Sequence, residues 1–373
     1  MIQKGKANIV VGGQWGSEGK GKLFGYLYHK YPEISIAISD FTPNTGHTYI
    51  DADGKSFISK ILPIGMAFES VKTVVIGPHA VFSIERFQEE LEMFRNAGGR
   101  NTQVLIHPMA SVLTDKNVAD EARTLNNIAS TMQGSAAAQI AKIMRNPELC
   151  SLAKNDERLP MVRDTQDLVQ QYLSKGRTIL IETGQGFDLG LNHGHRWPYV
   201  TGRDCMLGRW LDSAGVHPRQ LGSIIVALRT YPIRVGNTDG GYSGPWHHDQ
   251  REITWEGLSS YIDMDVKEYT TVTKRVRRLF TWSNEQVRRM CMLIKPDYAM
   301  LNYVNYLRGD EFDQTTGRIG HLLKEYDCEL RLLGTGAGLN DMTDLGELKG
   351  RENAAKVRKG LMNNTGMFTG KGG

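Results

Sequence analysis

The sequence has few cysteines, no long apolar run and little net charge, and each absence excludes a class of protein. Its four cysteines lie far apart and form no Cys-x-x-Cys pair, which argues against a disulfide framework or a zinc site and favours reduced thiols. No stretch approaches the roughly 20 apolar residues of a membrane-spanning helix, and the N-terminus lacks an apolar signal region. A net charge of +4 is too small to indicate nucleic-acid binding. We expect a soluble cytoplasmic protein without a nucleic-acid or membrane partner.

What the sequence does have is a glycine-rich stretch directly after its first predicted strand. Residues 7–11 are a short, largely apolar run, and residues 12–22 read Gly-Gly-Gln-Trp-Gly-Ser-Glu-Gly-Lys-Gly-Lys. Glycines let the backbone approach a ligand closely, and the two lysines stand where a helix should begin. Backbone N–H groups, a helix N-terminus and ammonium groups together favour phosphate, and an idle turn would need neither lysine. The spacing matches neither a Walker A loop nor a dinucleotide-binding fingerprint.

Short apolar strands alternate with helices along the chain. Strands are predicted at residues 34–38, 71–76, 104–106, 178–182, 224–228 and 298–307. A helix is predicted from Ser83, as its N-cap, to Ala97. This alternation predicts an α/β fold with a largely parallel sheet. We expect one domain over residues 1–345 and a C-terminal helix or tail over residues 346–373, with a frayed glycine-rich end.

Residues 14–22 closely resemble the N-terminal signature of adenylosuccinate synthetases, Gln-Trp-Gly-Asp-Glu-Gly-Lys-Gly-Lys. Residues 44–48, Asn-Thr-Gly-His-Thr, resemble that family's Asn-Ala-Gly-His-Thr, and further blocks follow in family order to about residue 340. The resemblance implies a P-loop-like nucleotide-binding fold with a mostly parallel central sheet flanked by helices. It also implies a ligase that uses Mg²⁺ and a nucleoside triphosphate to join L-aspartate to a purine nucleotide.

The resemblance assigns residues to overlapping groups. The implied catalytic residues are Ser17, Lys20, His47 and Gln185, and the implied metal ligands are Ser17 and Gly46. The implied donor-nucleotide residues are Gly16, Glu18, Gly19, Lys20, Gly21, Lys22, Gly46, His47, Thr48, Asn305 and Gly336. The implied acceptor-nucleotide residues are Ser17, Asn44, Thr131, Gln133, Arg145, Gln185 and Thr201. The implied L-aspartate residues are Val272, Thr273, Arg275 and Arg277.

Two of these groups depend on particular segments. Thr131 and Arg145 have the separation of the family's threonine and arginine that bind the nucleotide 5′-phosphate. In the family the arginine reaches the partner subunit's site, so the resemblance implies a homodimer. Residues 268–278 resemble the family's aspartate loop, Thr-Val-Thr-Gly-Arg-x-Arg-Arg, with Lys274 in place of its glycine. Guanidinium groups suit a dicarboxylate because they grip it bidentately, although a run of cations is more often a solvated face.

Ser17 is a departure at a catalytic position. The family's aspartate there removes the N1 proton of IMP, and a serine hydroxyl is far too weak a base to replace it at neutral pH. Either the activity is lost or the substrate has changed. The resemblance points to the phage branch of the family, which carries serine at this position. Those enzymes act on dGMP and make N6-succinyl-2-amino-2′-deoxyadenylate for 2-aminoadenine DNA; if the source is a virus of bacteria, the compartment is the host cytoplasm.

Asn305 is a second departure, at the end of the predicted strand 298–307. The family has an aspartate there that accepts hydrogen bonds from the guanine of GTP, and Tyr303 likewise replaces a family lysine. An amide both donates and accepts, so Asn305 can pair with adenine N1 and N6, which a carboxylate cannot do. The resemblance together with this exchange predicts ATP or dATP as phosphate donor.

Other interpretations stay open at this point. One is an ordinary adenylosuccinate synthetase that uses IMP and GTP, and another is an inactive nucleotide-binding scaffold; dependence of nucleotide consumption on L-aspartate discriminates the scaffold from an enzyme. The histidines at 193, 195, 247 and 248 suggest metal ligands, but His193 occupies a family position that is not a ligand. Three questions stay open: whether the acceptor is dGMP or GMP, whether the donor is ATP or dATP, and which group removes the N1 proton.

Overall fold

The computed structural model describes residues 1–159, 161–270 and 274–349. Its strands are β1 (Ala7–Gly12), β2 (Ile34–Ser39), β3 (His47–Ile50), β4 (Ser56–Ser59), β5 (Thr73–Ile76), β6 (Val81–Phe82), β7 (Gln103–Ile106), β8 (Ser111–Val112), β9 (Thr178–Glu182), β10 (Leu221–Arg229), β11 (Ile233–Arg234), β12 (Glu252–Ile253), β13 (Arg278–Phe280), β14 (Tyr298–Asn302), β15 (Glu329–Gly334) and β16 (Met342–Asp344). Its helices are α1 (Lys20–Lys30), α2 (Ile84–Arg95), α3 (Asp115–Thr124), α4 (Ser135–Ile143), α5 (Gln166–Ser174), α6 (Leu207–Ala214), α7 (Trp255–Ile262), α8 (Asn284–Ile294), α9 (Asp310–Lys324) and α10 (Leu345–Lys349).

A nine-stranded sheet runs through the centre of the molecule in the order β16-β15-β14-β10-β1-β9-β2-β5-β7. Its neighbours pair in parallel except for β15 and β16. Every residue of β1 is buried, because a parallel sheet is covered on both faces and its strands are therefore apolar throughout. The predicted α/β fold with a mostly parallel sheet is confirmed.

The two faces of the sheet carry separate hydrophobic cores. Side chains alternate across a strand, so Val10 of β1 belongs to the core that α1 and α2 cover. Its neighbours Ile9 and Val11 belong to the core that α6, α8 and α9 cover. This packing fixes β1 between β10 and β9, and it therefore also fixes the start of the glycine-rich loop that follows β1.

The loops that follow β1, β2, β9, β10, β14 and β15 leave from the carboxyl edge of the sheet. In open α/β sheets, ligands bind at this edge, where loops from neighbouring strands meet. Among the described residues, three small sheets lie outside the central one: the β3–β4 hairpin, the β6–β8 pair and the antiparallel order β11-β13-β12. The β3–β4 hairpin and the β11-β13-β12 sheet carry His47, Thr48 and Arg234 to the same edge, where all three line one cavity.

Local predictions are confirmed in most places and wrong in two. The Ser83 side chain accepts a hydrogen bond from the Arg86 N–H and caps α2, as predicted. The polar composition of residues 42–48 predicts a loop, but the chain enters β3 at His47, because residues 47–50 pair with β4 across a short turn. The predicted strand 298–307 ends at Asn302, since Tyr303 has φ +61°, which a regular strand does not accommodate. Asn305 therefore lies in a 3-10 helix, Val304–Tyr306.

Some predictions fall on residues outside the described parts. Val272 and Thr273 of the predicted aspartate group are among them, and so are residues 350–373 of the predicted C-terminal tail. The division at residue 345 stays a prediction. In the described ranges, none of the helices is both long and apolar enough to cross a bilayer.

Candidate active site

A cavity of about 640 Å³ opens at the carboxyl edge of the central sheet. It brings together residues from the glycine-rich loop, the β2–β3 connection and the segment that precedes α4. The segments that follow β9, β14 and β15 also contribute to it. The predicted site residues that line it are Gly16, Ser17, Gly19, Lys20, Gly21, Lys22, Asn44, Gly46, His47, Thr48, Thr131, Gln185, Thr201, Arg277, Asn305 and Gly336.

The glycine-rich loop takes an unusual backbone path before α1. Gly16, Ser17 and Gly19 have φ values of +84°, +58° and +83°, a region that L-residues other than glycine adopt reluctantly. Ser17 is the one non-glycine among them. At Gly12, an added Cβ would lie 2.7 Å from the Gln185 carbonyl oxygen, so only glycine lets these two segments approach. The loop then enters α1 at Lys20, which points a helix N-terminus at the cavity.

Glu18 stabilises this loop from inside rather than facing a ligand. Its fully buried carboxylate accepts hydrogen bonds from the N–H groups of Gln14 (3.1 Å) and Gly16 (2.7 Å) through Oε1. Its Oε2 accepts from the Lys20 ammonium at 2.8 Å. Lys20 also donates to the Gln185 carbonyl at 2.6 Å. Glu18 thus does not line the cavity, and it orients Lys20, which does.

Lys22, the second lysine of the loop, forms hydrogen bonds to the opposite wall of the cavity. Its ammonium donates to Asn302 Oδ1 at 2.8 Å and to the Gly336 carbonyl at 2.7 Å. The Asn302 amide donates in turn to the Glu18 carbonyl at 3.2 Å. Burial lowers the pKa of Lys22 to about 8, since its partners in this network are neutral. Asn302 is a site residue that the sequence did not predict, although a polar residue at the carboxyl end of a buried strand was a usable signal.

His47 faces the cavity as a neutral imidazole. It is buried, and the rings of Phe24 and Phe41 meet its ring edge-on with centroids 5.1 and 4.7 Å away. Burial, reinforced by the charge of Lys20, lowers the pKa of His47 well below its usual value. Its Nδ1 has no hydrogen-bond partner among the described residues. A neutral imidazole beside Lys20 can donate one N–H to a phosphoryl oxygen.

Hydroxyl and amide side chains line the part of the cavity predicted to take the acceptor nucleotide. Asn44 Oδ1 accepts from the hydroxyls of Thr42 (2.6 Å) and Ser135 (3.4 Å). Two predicted residues do not line the cavity. The Gln133 side chain donates to the Thr131 carbonyl at 2.9 Å, and Arg145 is exposed on the surface beyond the end of α4.

The two described arginines of the predicted aspartate group point to different places. Arg277 lines the cavity, and its Nε donates to the Tyr269 carbonyl at 3.2 Å. Arg275 instead donates to the carbonyls of Ala129 (3.2 Å) and Ser130 (2.9 Å), next to the acceptor segment, and does not line the cavity. Lys274 has φ +53°, so it adopts the left-handed conformation that a glycine would favour there.

Arg229 and Glu268 are two further residues at the site that the sequence did not predict. Arg229 ends β10, and its guanidinium is fully buried. It donates to both carboxylate oxygens of Glu268, at 2.5 and 3.2 Å, and to the Ser17 carbonyl at 2.9 Å. The Tyr303 ring lies over it, with the guanidinium carbon 3.9 Å from the ring centroid. The sequence did offer one signal for Arg229, which is a charged residue directly after the apolar run of a central strand.

Two of the histidines considered as metal ligands, His195 and His247, stack on each other. His247 is fully buried, and its Nε2 lies 2.7 Å from Asp188 Oδ2. Its ring stacks on His195 with centroids 3.7 Å apart and on Trp15 with centroids 5.8 Å apart. Trp15 lines the cavity. The stacked rings therefore support the cavity wall.

The oxygen atoms that line the cavity fit a magnesium ion held mainly by its substrates. Mg²⁺ prefers oxygen ligands and often takes one or two from the protein, while phosphates and water supply the rest. Ser17 offers a hydroxyl and Gly46 a carbonyl, and both residues line the cavity. In residues 1–159, 161–270 and 274–349, no His, Cys, Asp or Glu side chains are grouped to hold a metal by themselves. The donor set suits an ion that arrives with phosphate.

Comparison with known proteins identifies the family. The family model described as adenylosuccinate synthetase matches residues 9–156 and 147–315. The N6-succino-2-amino-2′-deoxyadenylate synthase of Vibrio phage phiVC8 is 37% identical over 343 residues, which cover 90% of this chain and 97% of that protein. The enzyme of the same name from Salmonella phage PMBT28 is 33% identical over 367 residues, covering 92% and 98%. The solved succinoaminodeoxyadenylate synthetase of Cyanophage S-2L, bound to dGMP and dATP, superposes with a TM-score of 0.81 at 30% identity over 93% of this chain and 98% of its own. The chain belongs to the adenylosuccinate synthetase family.

Proposed function

We propose that this ligase joins L-aspartate to C6 of dGMP with hydrolysis of ATP or dATP, and so makes N6-succinyl-2-amino-2′-deoxyadenylate for 2-aminoadenine DNA. One observation supports the proposal above all. Ser17 lines the cavity beside Lys20, His47 and Gln185, so the family's apparatus for phosphoryl transfer is present without its general base. The Cyanophage S-2L relative was solved with dGMP and dATP, which agrees with a guanine acceptor and an adenine donor.

The reaction proceeds in two steps. In the first, O6 of dGMP attacks the γ-phosphorus, the bond to the β–γ bridging oxygen breaks, and ADP or dADP leaves. The N1 proton departs by way of a water or a substrate group, because the Ser17 hydroxyl is too weak a base. In the second, the amine of L-aspartate bonds to C6, the C6–O6 bond breaks, phosphate leaves, and the amine releases a proton. The nitrogen–carbon bond that forms is the one that defines the product.

The chain's residues contribute charge and position. The Lys20 ammonium and the neutral His47 imidazole stabilise negative charge on the transferring phosphoryl group, where fixed donors in a dry site are most effective. Gln185 lies against Lys20 through its carbonyl and faces the purine. Ser17 accommodates the guanine and, with Gly46, offers an oxygen to Mg²⁺. When bound, Mg²⁺ neutralises phosphate charge during the transfer.

We infer that Asn305 selects the donor base. Asn305→Asp is expected to lower kcat/KM for ATP by about tenfold to a hundredfold and to raise it for GTP, because one base-edge hydrogen-bond pair discriminates by about 1–3 kcal/mol. The measurement is kcat/KM for ATP, dATP and GTP at fixed dGMP and L-aspartate. Asn305→Ala is the control: it should weaken both adenine donors without improving GTP. An Asn305→Asp enzyme that keeps its preference for ATP would contradict the role.

We infer that a second copy of the chain completes the acceptor site. Arg145 lies on the surface beside three exposed apolar side chains of one face, Ile140 (61% exposed), Ile143 (73%) and Met144 (67%). Thr131 and Ser135 line the cavity with hydroxyls, while the nearby Arg275 is bound to backbone carbonyls. A partner that covers the apolar face would supply the cation that a 5′-phosphate needs.

Complementation between two inactive variants tests the dimer. Arg145→Leu and Lys20→Met are each expected to be nearly inactive, since each removes a cation from every site. Refolded or co-expressed together, they should regain about a quarter of wild-type activity, because half of the dimers are mixed and each mixed dimer has one intact site. Ile143→Asp, which places a charge on the apolar face, should yield monomers by light scattering. No recovery on mixing, with a wild-type mass of one chain, would contradict the dimer.

A phosphate-release assay tests the function itself. Purified protein is supplied with Mg²⁺, L-aspartate and one donor, ATP, dATP or GTP, and dGMP, GMP and IMP are compared as acceptors. Release with dGMP that vanishes without L-aspartate is the expected result. Turnover only with IMP and GTP would indicate an ordinary adenylosuccinate synthetase, and no turnover with any acceptor would indicate an inactive scaffold.

We propose the cytoplasm of a bacterial host cell as the place of action. Cys205, Cys291 and Cys328 are buried and unpaired, and burial raises the pKa of the Cys205 thiol to about 11. Such thiols are inert core residues in a reducing compartment. The three phage relatives named above agree with this assignment.

A further inference from the structure

We propose that Arg229 is a positioning residue that holds three substrate-binding segments in register: the glycine-rich loop at Ser17, the start of the aspartate segment at Glu268, and the donor-base segment at Tyr303. The inference rests on the proposed function, because it assigns those segments to the donor, the acceptor and L-aspartate. Arg229 itself does not line the cavity, whereas all three of its contacts do. Its effect on substrates is therefore indirect.

The contact with Glu268 anchors the aspartate segment. The Arg229 guanidinium is fully buried, and the Glu268 side chain is 23% exposed. Two nearly parallel bonds, from Nη2 to Oε1 at 2.5 Å and from Nη1 to Oε2 at 3.2 Å, form a bidentate pair. A bidentate pair fixes orientation as well as distance. The Arg277 N–H donates to the Glu268 carbonyl at 2.9 Å, so fixing Glu268 also fixes the arginine that lines the cavity.

The contact with Ser17 controls the glycine-rich loop. Ser17 has φ +58°, a conformation that costs free energy and persists only when its surroundings impose it. The Arg229 Nη1 donates to the Ser17 carbonyl at 2.9 Å and holds the peptide unit in that orientation. The same backbone turn presents the Ser17 hydroxyl and the N–H groups of the loop to the cavity. Loss of this bond would let the loop relax.

The contact with Tyr303 controls the donor-base segment. Tyr303 also has a positive φ, +61°, and its ring lies on the flat face of the guanidinium. The neighbouring Thr230 hydroxyl donates to the Tyr303 carbonyl at 2.8 Å. Arg229 at the end of β10 and the adjacent Thr230 thus both contact Tyr303. At Tyr303 the chain turns from β14 towards Asn305. A planar cation is required, because an ammonium cannot stack on the ring and make three directed bonds at once.

The test compares Arg229→Lys with Arg209→Lys. Arg209 is a matched control, because its largely buried guanidinium also makes a bidentate pair, with Asp40 at 2.6 and 3.3 Å, and Asp40, unlike the contacts of Arg229, does not line the cavity. Both variants keep the charge and are expected to lower Tm by similar amounts. Arg229→Lys should lower kcat about tenfold or more and raise KM for both ATP and L-aspartate about tenfold, while Arg209→Lys should keep wild-type constants. Glu268→Gln, which retains one acceptor oxygen, should raise KM for L-aspartate more than KM for ATP.

ATP binding provides a measurement that does not depend on turnover. Calorimetric titration with ATP and Mg²⁺ is expected to give about tenfold weaker binding for Arg229→Lys and unchanged binding for Arg209→Lys. Equal ATP affinity in all three proteins would overturn the inference, whether or not the wild-type enzyme turns over dGMP. Absence of wild-type turnover together with the expected ATP titrations would count against the proposed function and leave the positioning role in place.

Discussion

Lys20→Met is expected to lower kcat by about a thousandfold with little change in KM for L-aspartate. Lys20 is a buried cation that lines the cavity at the start of α1, and removing one preorganised group that stabilises transition-state charge costs about 10²–10³ in kcat. Its ammonium is already oriented by Glu18 and by the Gln185 carbonyl, so it needs no reorganisation when the phosphoryl group arrives. Single-turnover phosphate release, with all substrates saturating, measures the loss.

A second variant separates catalysis from folding. Lys20→Met also leaves the Glu18 carboxylate buried without its cation, which should destabilise the protein by about 3 kcal/mol. The double variant Glu18→Gln with Lys20→Met removes that charge as well and should recover most of the lost Tm. If kcat recovers along with Tm, Lys20 is only a partner of Glu18 and has no part in the transfer. Recovery of Tm with kcat still low supports the catalytic role.

Arg277→Met is expected to raise KM for L-aspartate by about a hundredfold and to leave KM for ATP within about threefold, because hydrogen bonds to charged groups contribute about 1.5–3 kcal/mol each. Arg277 is the described arginine of its segment that lines the cavity. Burial lowers the pKa of Arg277, but an arginine stays protonated at neutral pH. The measurement is the dependence of phosphate release on L-aspartate concentration, with dGMP and ATP saturating.

Arg275 provides the comparison for this experiment. Its guanidinium holds the carbonyls of Ala129 and Ser130, so Arg275→Met should act mainly on KM for dGMP, through the segment that carries Thr131. The resemblance places both arginines at L-aspartate. Equal rises in KM for L-aspartate in the two variants would support that assignment and contradict the division of roles that the contacts indicate.

Much of the fold could be predicted because its signals are local. Parallel strands buried on both faces read as apolar runs, and a serine before a polar helix start reads as a cap. The two wrong predictions had different causes, a distant pairing partner in one case and a backbone conformation in the other. His47 joins a strand because residues 56–59 lie opposite, and Tyr303 leaves one because its φ is positive. Neither condition is visible in a run of residue types.

The sequence by itself determined the chemistry of the loop and its two departures from the family pattern, Ser17 and Asn305, because residue type and local order carry that information. Only the tertiary structure decided how these residues are held. Lys22 meets Asn302 across 280 positions of the chain, and Arg229 meets Ser17 across 212. Such contacts follow from the order β14-β10-β1 in the central sheet. Packing of the whole chain sets that order, and no local sequence pattern indicates it.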